Sequence, residues 1–447
     1  MKQSLNQSKW ARWTALGVVS FTMMAAYFMT DVMSPLKGML EGIERWSSAD
    51  YGLFTSAYGW FNVFLLMLFL GGLLLDKKGI RFTGMLAASI MVVGASVKYL
   101  ALAGILPVQG VVAGVKAQVV FASVGFAIFA VGAEIAGVTV TKAIVKWFKG
   151  HEMALAMGLQ VSVARIGTAI ALVFSNPLAK YFGGVSHAVL FGLTLLVIGL
   201  LFFFIYTLFD KKFDRQSGNV EASTEDEFKL SDVKLVLTSY GFWLIALLCV
   251  LFYSCVFPFL KYATDLMVNK FGVSEEWAGL IPGLLPFGAI LLTPLFGSIY
   301  DKKGRGATIM IIGALMLVGI HALFAAPGVS SWIYAVGLMV ALGVAFSLVP
   351  SAMWPSVPKI IPEKQLGTAY SLIFWVQNIG LMVVPYLIGV VLDRFCKTAS
   401  DEGTISYDYT IPMLIFTAFA VLSLLVAVML TREDKKSGYG LERPNVN

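Results

Sequence analysis

Apolar residues along this chain run in long, almost unbroken blocks, and polar residues collect in the short gaps between them. The blocks fall near 12–34, 50–75, 82–105, 117–141, 152–176 and 186–208, then near 239–262, 275–299, 307–326, 332–355, 365–392 and 409–430. Each is near the roughly 20 residues that a helix needs to cross about 30 Å of hydrocarbon. Lipid offers the backbone no hydrogen-bond partners, so only helices and closed barrels span it, and these blocks are too long for barrel strands. The pattern predicts an all-α integral membrane protein with twelve transmembrane helices. A polar stretch over 209–238, with Asp210, Lys211, Lys212, Asp214, Arg215 and the run Glu225-Asp226-Glu227, divides the blocks six and six. It reads as a solvated linker between two bundles, 1–208 and 239–447, the second ending in a short tail.

Composition leads to the same class. The chain of 447 residues is 58% hydrophobic and 13% charged, with a mean hydropathy of +0.81. A soluble domain carries about 25% charge, so this chain lacks the polar coat that such a domain needs. The net charge of +7 does not imply a nucleic-acid partner, because basic residues are what cytoplasmic loops of membrane proteins collect. With the amino terminus inside, inner segments hold 23 Lys and Arg and outer segments eight, which places both termini in the cytoplasm. The first block has no small-residue cleavage site after it and is kept as a helix. The three cysteines form neither a disulfide framework nor a zinc spacing. No phosphate loop, dinucleotide loop, nucleophile elbow or His/Cys/Glu cluster appears. Neither catalysis, nor a cofactor, nor a metal, nor direct ATP drive is therefore expected.

The two halves echo each other. Gly71 to Gly79, with Asp76-Lys77-Lys78-Gly79 followed by Arg81, comes after the second block, and Gly297 to Arg305, with Asp301-Lys302-Lys303-Gly304, comes after the eighth. A second echo joins Gly158…Arg165-Ile166-Gly167 to Gly367…Asn378-Ile379-Gly380. Repeated halves point to a pseudo-two-fold transporter with its substrate at their interface.

Ionisable groups inside the bilayer are costly and mark function. Glu134 in the fourth block and Arg165 in the fifth each lie about 18–20 Å from the cytoplasmic edge, judged from their spacing to Lys146 and Glu152. An acid and a base thus stand at matching depth on neighbouring helices. They either pair to hold the hairpin or clamp a zwitterion, with Glu134 on its ammonium and Arg165 on its carboxylate. An extended dipeptide separates its end charges by about 6–7 Å, which suits side chains on helices about 8–10 Å apart. Trp375, Gln377 and Asn378 are candidates to complete the site from the second half. Asp31 is a candidate proton site or outer gate. Lys98 either faces the cavity or snorkels outward. Lys261 and Asp265, spaced i,i+4, read as a local ion pair, and His321 as a lone histidine near a helix end.

Twelve spans, a central linker and the duplicated Gly-x(4)-Asp-Lys-Lys-Gly turn resemble the major facilitator superfamily over essentially the whole chain. Within it, Glu134, Val145 to Gly150, Met157 to Gln160 and Ala164 to Gly167 resemble the branch of the lysosomal dipeptide uniporter and its bacterial relatives. So does Leu348 to Tyr370, with Trp354-Pro355, Pro362-Glu363 and Gln365 to Tyr370. The resemblance implies alternating access, a dipeptide or similar zwitterion as cargo, and Glu134 and Arg165 at its two ends. It adds Trp354 to the site and makes the turns of Asp76 and Arg81, and of Asp301 and Arg305, a latch on the cytoplasmic side. Neither a dileucine-type sorting signal nor an outward glycosylation sequon is apparent, so a bacterial plasma-membrane protein is expected. The rivals are a proton-coupled organic-anion or other small-metabolite carrier and a nontransporting sensor of the same fold. An organic-phosphate exchanger is expected to carry a basic residue in each half, whereas Asn378 stands where Arg165 has its echo.

Overall fold

The computed structural model describes residues 8–106, 109–149, 151–217, 230–399 and 405–444. The run Glu225-Asp226-Glu227 of the expected linker lies outside the described residues. Helix α1 (Lys9–Asp31) starts on the Ser8 hydroxyl and leads through a 3-10 turn at Ser34–Leu36 into the short α2 (Lys37–Gly42). Helix α3 (Ser48–Phe64) opens with a capping box, in which the Ser47 hydroxyl and Asp50 carboxylate satisfy each other's backbone N–H. The remainder of the first half is α4 (Met67–Leu102), α5 (Ala117–Phe148), α6 (Met153–Phe182) and α7 (Val185–Ser217). A short α8 (Leu230–Leu237) precedes the second half: α9 (Tyr240–Phe271), α10 (Leu280–Lys303), α11 (Gly306–Ala325), α12 (Trp332–Ile360), α13 (Leu366–Val391) and α14 (Thr410–Ser437). Two small antiparallel hairpins, Val111–Val112 with Val115–Lys116 and Lys397–Ala399 with Ile405–Tyr407, cover the face away from α8.

The second and third spans depart from the expected blocks. Helix α3 stops at Phe64, and the chain resumes as α4 after Leu66, whose φ of +53° breaks the helix in mid-span. Within α4 the backbone turns again at Gly79 (φ +75°, ψ 175°), a conformation open to glycine because it has no Cβ. The second span is therefore α3 plus the start of α4, and the third is the remainder of α4. Counted this way the described helices give twelve spans in two six-helix bundles. Helix α7 also continues past its apolar block to Ser217. Its added turns carry Asp210 and Asp214, whose ion pairs with Arg81 and Lys146 hold them against the bundle.

Two seams join the bundles, α3 against α13 and α6 against α10. They pair the second span with the eleventh and the fifth with the eighth, as a pseudo-two-fold axis requires. In the first seam a Cβ on Gly52 would stand 2.9 Å from the Pro385 carbonyl oxygen, and one on Gly389 would stand 2.4 Å from that of Ser48. Small residues let the backbones approach this closely, which is how helices gain packing energy in lipid.

Candidate functional site

Between the bundles lies a cavity of about 1450 Å³. It reaches from Glu134 and Arg165 out to Asp76, Lys142, Lys149 and Asp301 at the face carrying α8. The opposite end is closed by bonds between the halves. Asp31 Oδ1 meets Lys261 Nζ at 2.5 Å, and Lys37 Nζ meets Asp265 Oδ2 at 2.9 Å. Tyr51 donates to the Lys261 carbonyl at 2.8 Å and Asn176 to the Glu275 carbonyl at 2.7 Å, while within the second half Tyr262 donates to the Pro385 carbonyl at 2.6 Å. The structure is thus open at one membrane face and bolted at the other.

Glu134 projects from α5 into the cavity, and Oε1 accepts from the Tyr58 hydroxyl at 2.9 Å. The Asn378 amide of the second half lies within reach of the same carboxyl. Arg165 projects from α6 among three rings, its guanidinium carbon 4.9 Å from the centroid of Phe346, 5.4 Å from Phe257 and 5.5 Å from Tyr27. Ring faces attract the guanidinium but leave its in-plane N–H donors for an acceptor. Among the described residues no carboxylate comes within ion-pair distance of Arg165, Glu134 included. The hairpin pair weighed from the sequence is not formed; acid and base face one cavity separately.

The second half supplies Trp354 and Gln377 to the wall. The Trp354 indole donates to the Tyr253 hydroxyl at 3.1 Å and stacks on Phe374 at 5.0 Å. Gln377 Oε1 accepts from the Cys249 thiol at 3.5 Å. Asn378 is buried behind the wall, with Nδ2 on the Phe374 carbonyl at 3.0 Å. Trp375 points away from the cavity, into the α3–α13 seam, where its indole donates to the Val63 carbonyl at 3.1 Å.

The repeated turns differ in their surroundings. Asp76 pairs with Lys142 at 2.6 Å, while Arg81 reaches Asp214 at 2.6 Å and Asp210 at 3.2 Å. Asp210 also accepts from Lys146 at 2.8 Å and from the Trp147 indole at 3.0 Å. In the second copy Asp301 lies on the cavity rim, and Arg305 is exposed, in the left-handed region at φ +64°. Its backbone N–H donates to the Glu442 carbonyl at 2.9 Å, so the carboxy-terminal segment holds this turn.

Two further sequence expectations are corrected. Lys261 and Asp265 do not pair with each other: their shared face of α9 looks onto the first half, where Asp31 and Lys37 take them. Lys98 neither faces the cavity nor snorkels; it is fully buried, with Nζ on the Met29 carbonyl at 3.1 Å. His321 is buried in the second bundle between Phe259 and Phe416. Asp31, read as a proton site or gate, sits in the closed end and also accepts from Thr168 at 2.7 Å. The sequence reading missed Tyr58, Lys37 and the rings around Arg165. For Tyr58 a signal existed, since it lies seven residues after Tyr51 and so on the same helix face.

A cavity between two pseudo-symmetric six-helix bundles, open to one membrane face and closed at the other, defines a membrane carrier of the two-bundle type. The chain belongs to the Major Facilitator Superfamily, whose family model matches residues 14–385 and 262–444. The Gallus gallus protein named lysosomal dipeptide transporter MFSD1 is 33% identical over 318 residues, 69% of this chain and 67% of that protein. The Homo sapiens protein of the same name is 29% identical over 96% of this chain and 88% of its own length. A probable nitrate transporter, NarT of Staphylococcus haemolyticus, is 25% identical over 61% of this chain and 64% of its own. Among solved structures, the nucleoside transporter NupG superposes with a TM-score of 0.67 at 17% identity, covering 94% of this chain and 98% of that one. A bacterial homologue of the human lysosomal transporter Spinster superposes with a TM-score of 0.69 at 15% identity, covering 96% and 98%. The fold and relatives are thus those of superfamily transporters, integral to a membrane, rather than of enzymes.

Proposed function

We propose that this transporter moves small zwitterions, dipeptides foremost, by alternating access between the two membrane faces. The observation that carries the reading is the separate presentation of Glu134 and Arg165 to one cavity, with no ion pair between them. Two buried opposite charges would ordinarily neutralise each other; kept apart, they match a ligand that brings a charge to each. Glu134 takes the ammonium with Tyr58 as its orienting donor, and Arg165 takes the carboxylate bidentately. Trp354, Gln377 and the rings around Arg165 line the room for side chains, and Asn378 acts from behind the wall. With the basic-residue excess inside, the open face is cytoplasmic, both termini are cytoplasmic, and the state is inward-open. The gates are then Asp31 on the outer side and the turns of Asp76 and Arg81, and of Asp301 and Arg305, on the inner. The bundles are 1–208 and 239–447, joined by 209–238, in a bacterial plasma membrane. The relatives named as lysosomal dipeptide transporters support the cargo class.

A second reading, an anion carrier, is favoured by the relative named as a probable nitrate transporter and by the lysines on the cavity rim. Calorimetric binding of a dipeptide panel to the purified protein separates the two. The zwitterion reading expects binding that is lost in both Glu134→Gln and Arg165→Ala; anion binding that survives Glu134→Gln would replace it.

A further inference from the structure

Lys98 has no part in the cargo reading. Its Nζ donates to the Met29 carbonyl and lies 4.9, 5.8 and 5.9 Å from the ring centroids of Phe126, Phe129 and Phe54. Among the described residues no carboxylate comes within ion-pair distance. One carbonyl and three ring faces are a thin environment for a fully buried ammonium.

Its neighbours show what it stands next to. Met29 lies two residues before Asp31, in the last turn of α1. The next carbonyl, of Thr30, accepts from Lys261 Nζ at 2.8 Å, and the same ammonium pairs with Asp31. The carboxy-terminal carbonyls of α1, left without intrahelical donors, thus receive one lysine from each half: Lys98 from the first and Lys261 from the second. When the halves part at this end, Lys261 leaves with α9. Asp31 would then keep only the Thr168 hydroxyl, and a carboxylate without a counter-ion in such a place is strongly disfavoured.

We propose that Lys98 takes over Asp31 as the closed end opens, so that the carboxylate exchanges the counter-ion of the opposite half for one of its own. Two residues of helix rise about 3 Å and turn about 200°, so Nζ has to move both along and around the end of α1, within the sweep of a four-carbon lysine stem. In the structure described, Lys98 is parked on the Met29 carbonyl because Lys261 occupies Asp31. In the opposite state Lys98 and Asp31 pair and the closed end is stable apart. Lys98 is therefore a positioning residue for the outward-open state and does not touch cargo. The inference rests on alternating access but not on the identity of the cargo.

The test needs no substrate. A cysteine placed at Thr264, buried at the closed end, is labelled from that side only when the end opens; the native cysteines Cys249, Cys255 and Cys396 are buried. Lys98→Met is expected to slow labelling at least about tenfold and to lower maximal transport in parallel, with ligand affinity from the open side changed less than about twofold. Asp31→Asn removes the need for a counter-ion, so Asp31→Asn/Lys98→Met should label at the rate of Asp31→Asn alone. A double variant tenfold slower than Asp31→Asn would make Lys98 merely structural and overturn the proposal, as would Lys98→Met labelling at the wild-type rate. If Lys98→Met alone does not fold, the comparison within the Asp31→Asn background still decides. A wild-type protein that never labels would overturn both this proposal and alternating access. Loss of dipeptide binding with labelling intact would count against the cargo alone.

Discussion

Asp31 joins the two halves and the site helix at once: Oδ1 meets Lys261 of α9 at 2.5 Å, and Oδ2 accepts from Thr168 of α6 at 2.7 Å. Thr168 lies one turn after Arg165, so the helix that carries the candidate carboxylate anchor also holds the bolt of the closed end. Lys261→Met is expected to weaken the closed end by roughly 1–3 kcal/mol, since both partners are mostly buried but not dry. Labelling of a cysteine at Thr264 should rise accordingly, and an unchanged rate would remove this pair from the gate.

Tyr58 orients Glu134. Tyr58→Phe removes one charge-assisted hydrogen bond while preserving the ring, a loss of about 1.5–3 kcal/mol where the carboxylate is also the ammonium acceptor. Dipeptide affinity should fall about tenfold or more, and thermal stability should change little. Equal affinity in the variant would take the Tyr58 hydroxyl out of the binding step.

The two tryptophans of the second half separate by role. Trp375→Phe deletes the bond to the Val63 carbonyl across the seam and should cost about 1 kcal/mol of stability with binding intact. Trp354→Phe, on the cavity wall, should alter side-chain preference among dipeptides. A thermal melt and a binding panel on both variants check the split.

Asp210 is nearly inaccessible and accepts from Arg81, Lys146 and Trp147. Asp210→Asn leaves two cations short of their shared partner, and about 3 kcal/mol of stability should go with it. The melting temperature should drop by several degrees, and an unchanged melting temperature would show that Asp210 carries no such weight.

Asp408 lies in the segment between the last two spans, and its carboxylate accepts from the side chain and backbone of Thr410 at the start of α14, which holds its pKa below the ordinary carboxylate value. A lowered native pKa means stability that is fully present above the unfolded-state value and lost as the pH falls through the native one. The difference in melting temperature between wild type and Asp408→Ala should therefore be largest near neutrality and shrink in acid. A difference independent of pH would assign the effect to packing.

Block length and repeated turns in the sequence carried the span count and the two halves, because hydrocarbon thickness and helix rise are fixed, and the matched spacing of Glu134 and Arg165 agrees with their facing one cavity. They did not carry the break at Leu66, which no Pro or Gly announces, nor which neighbour a helix face meets. Lys261 and Asp265 illustrate the second limit: their i,i+4 spacing places them on one face of α9, but their partners Asp31 and Lys37 come from the other half. Trp375 and Gln377 are two residues apart on α13 and so on opposite sides of the helix, but only the packing of α3 decides which side enters the seam and which the cavity. Lys98 was legible as a costly intramembrane charge, but its partner, a main-chain carbonyl, leaves no mark in a sequence.

The most direct test is uptake of a labelled dipeptide into proteoliposomes by wild type, Glu134→Gln and Arg165→Ala, at equal and unequal pH. Wild-type uptake that collapses in both variants is the predicted result, and a rate insensitive to the pH gradient would assign uniport. An absence of wild-type flux across a varied dipeptide panel, or full uptake by either variant, would contradict the zwitterion clamp.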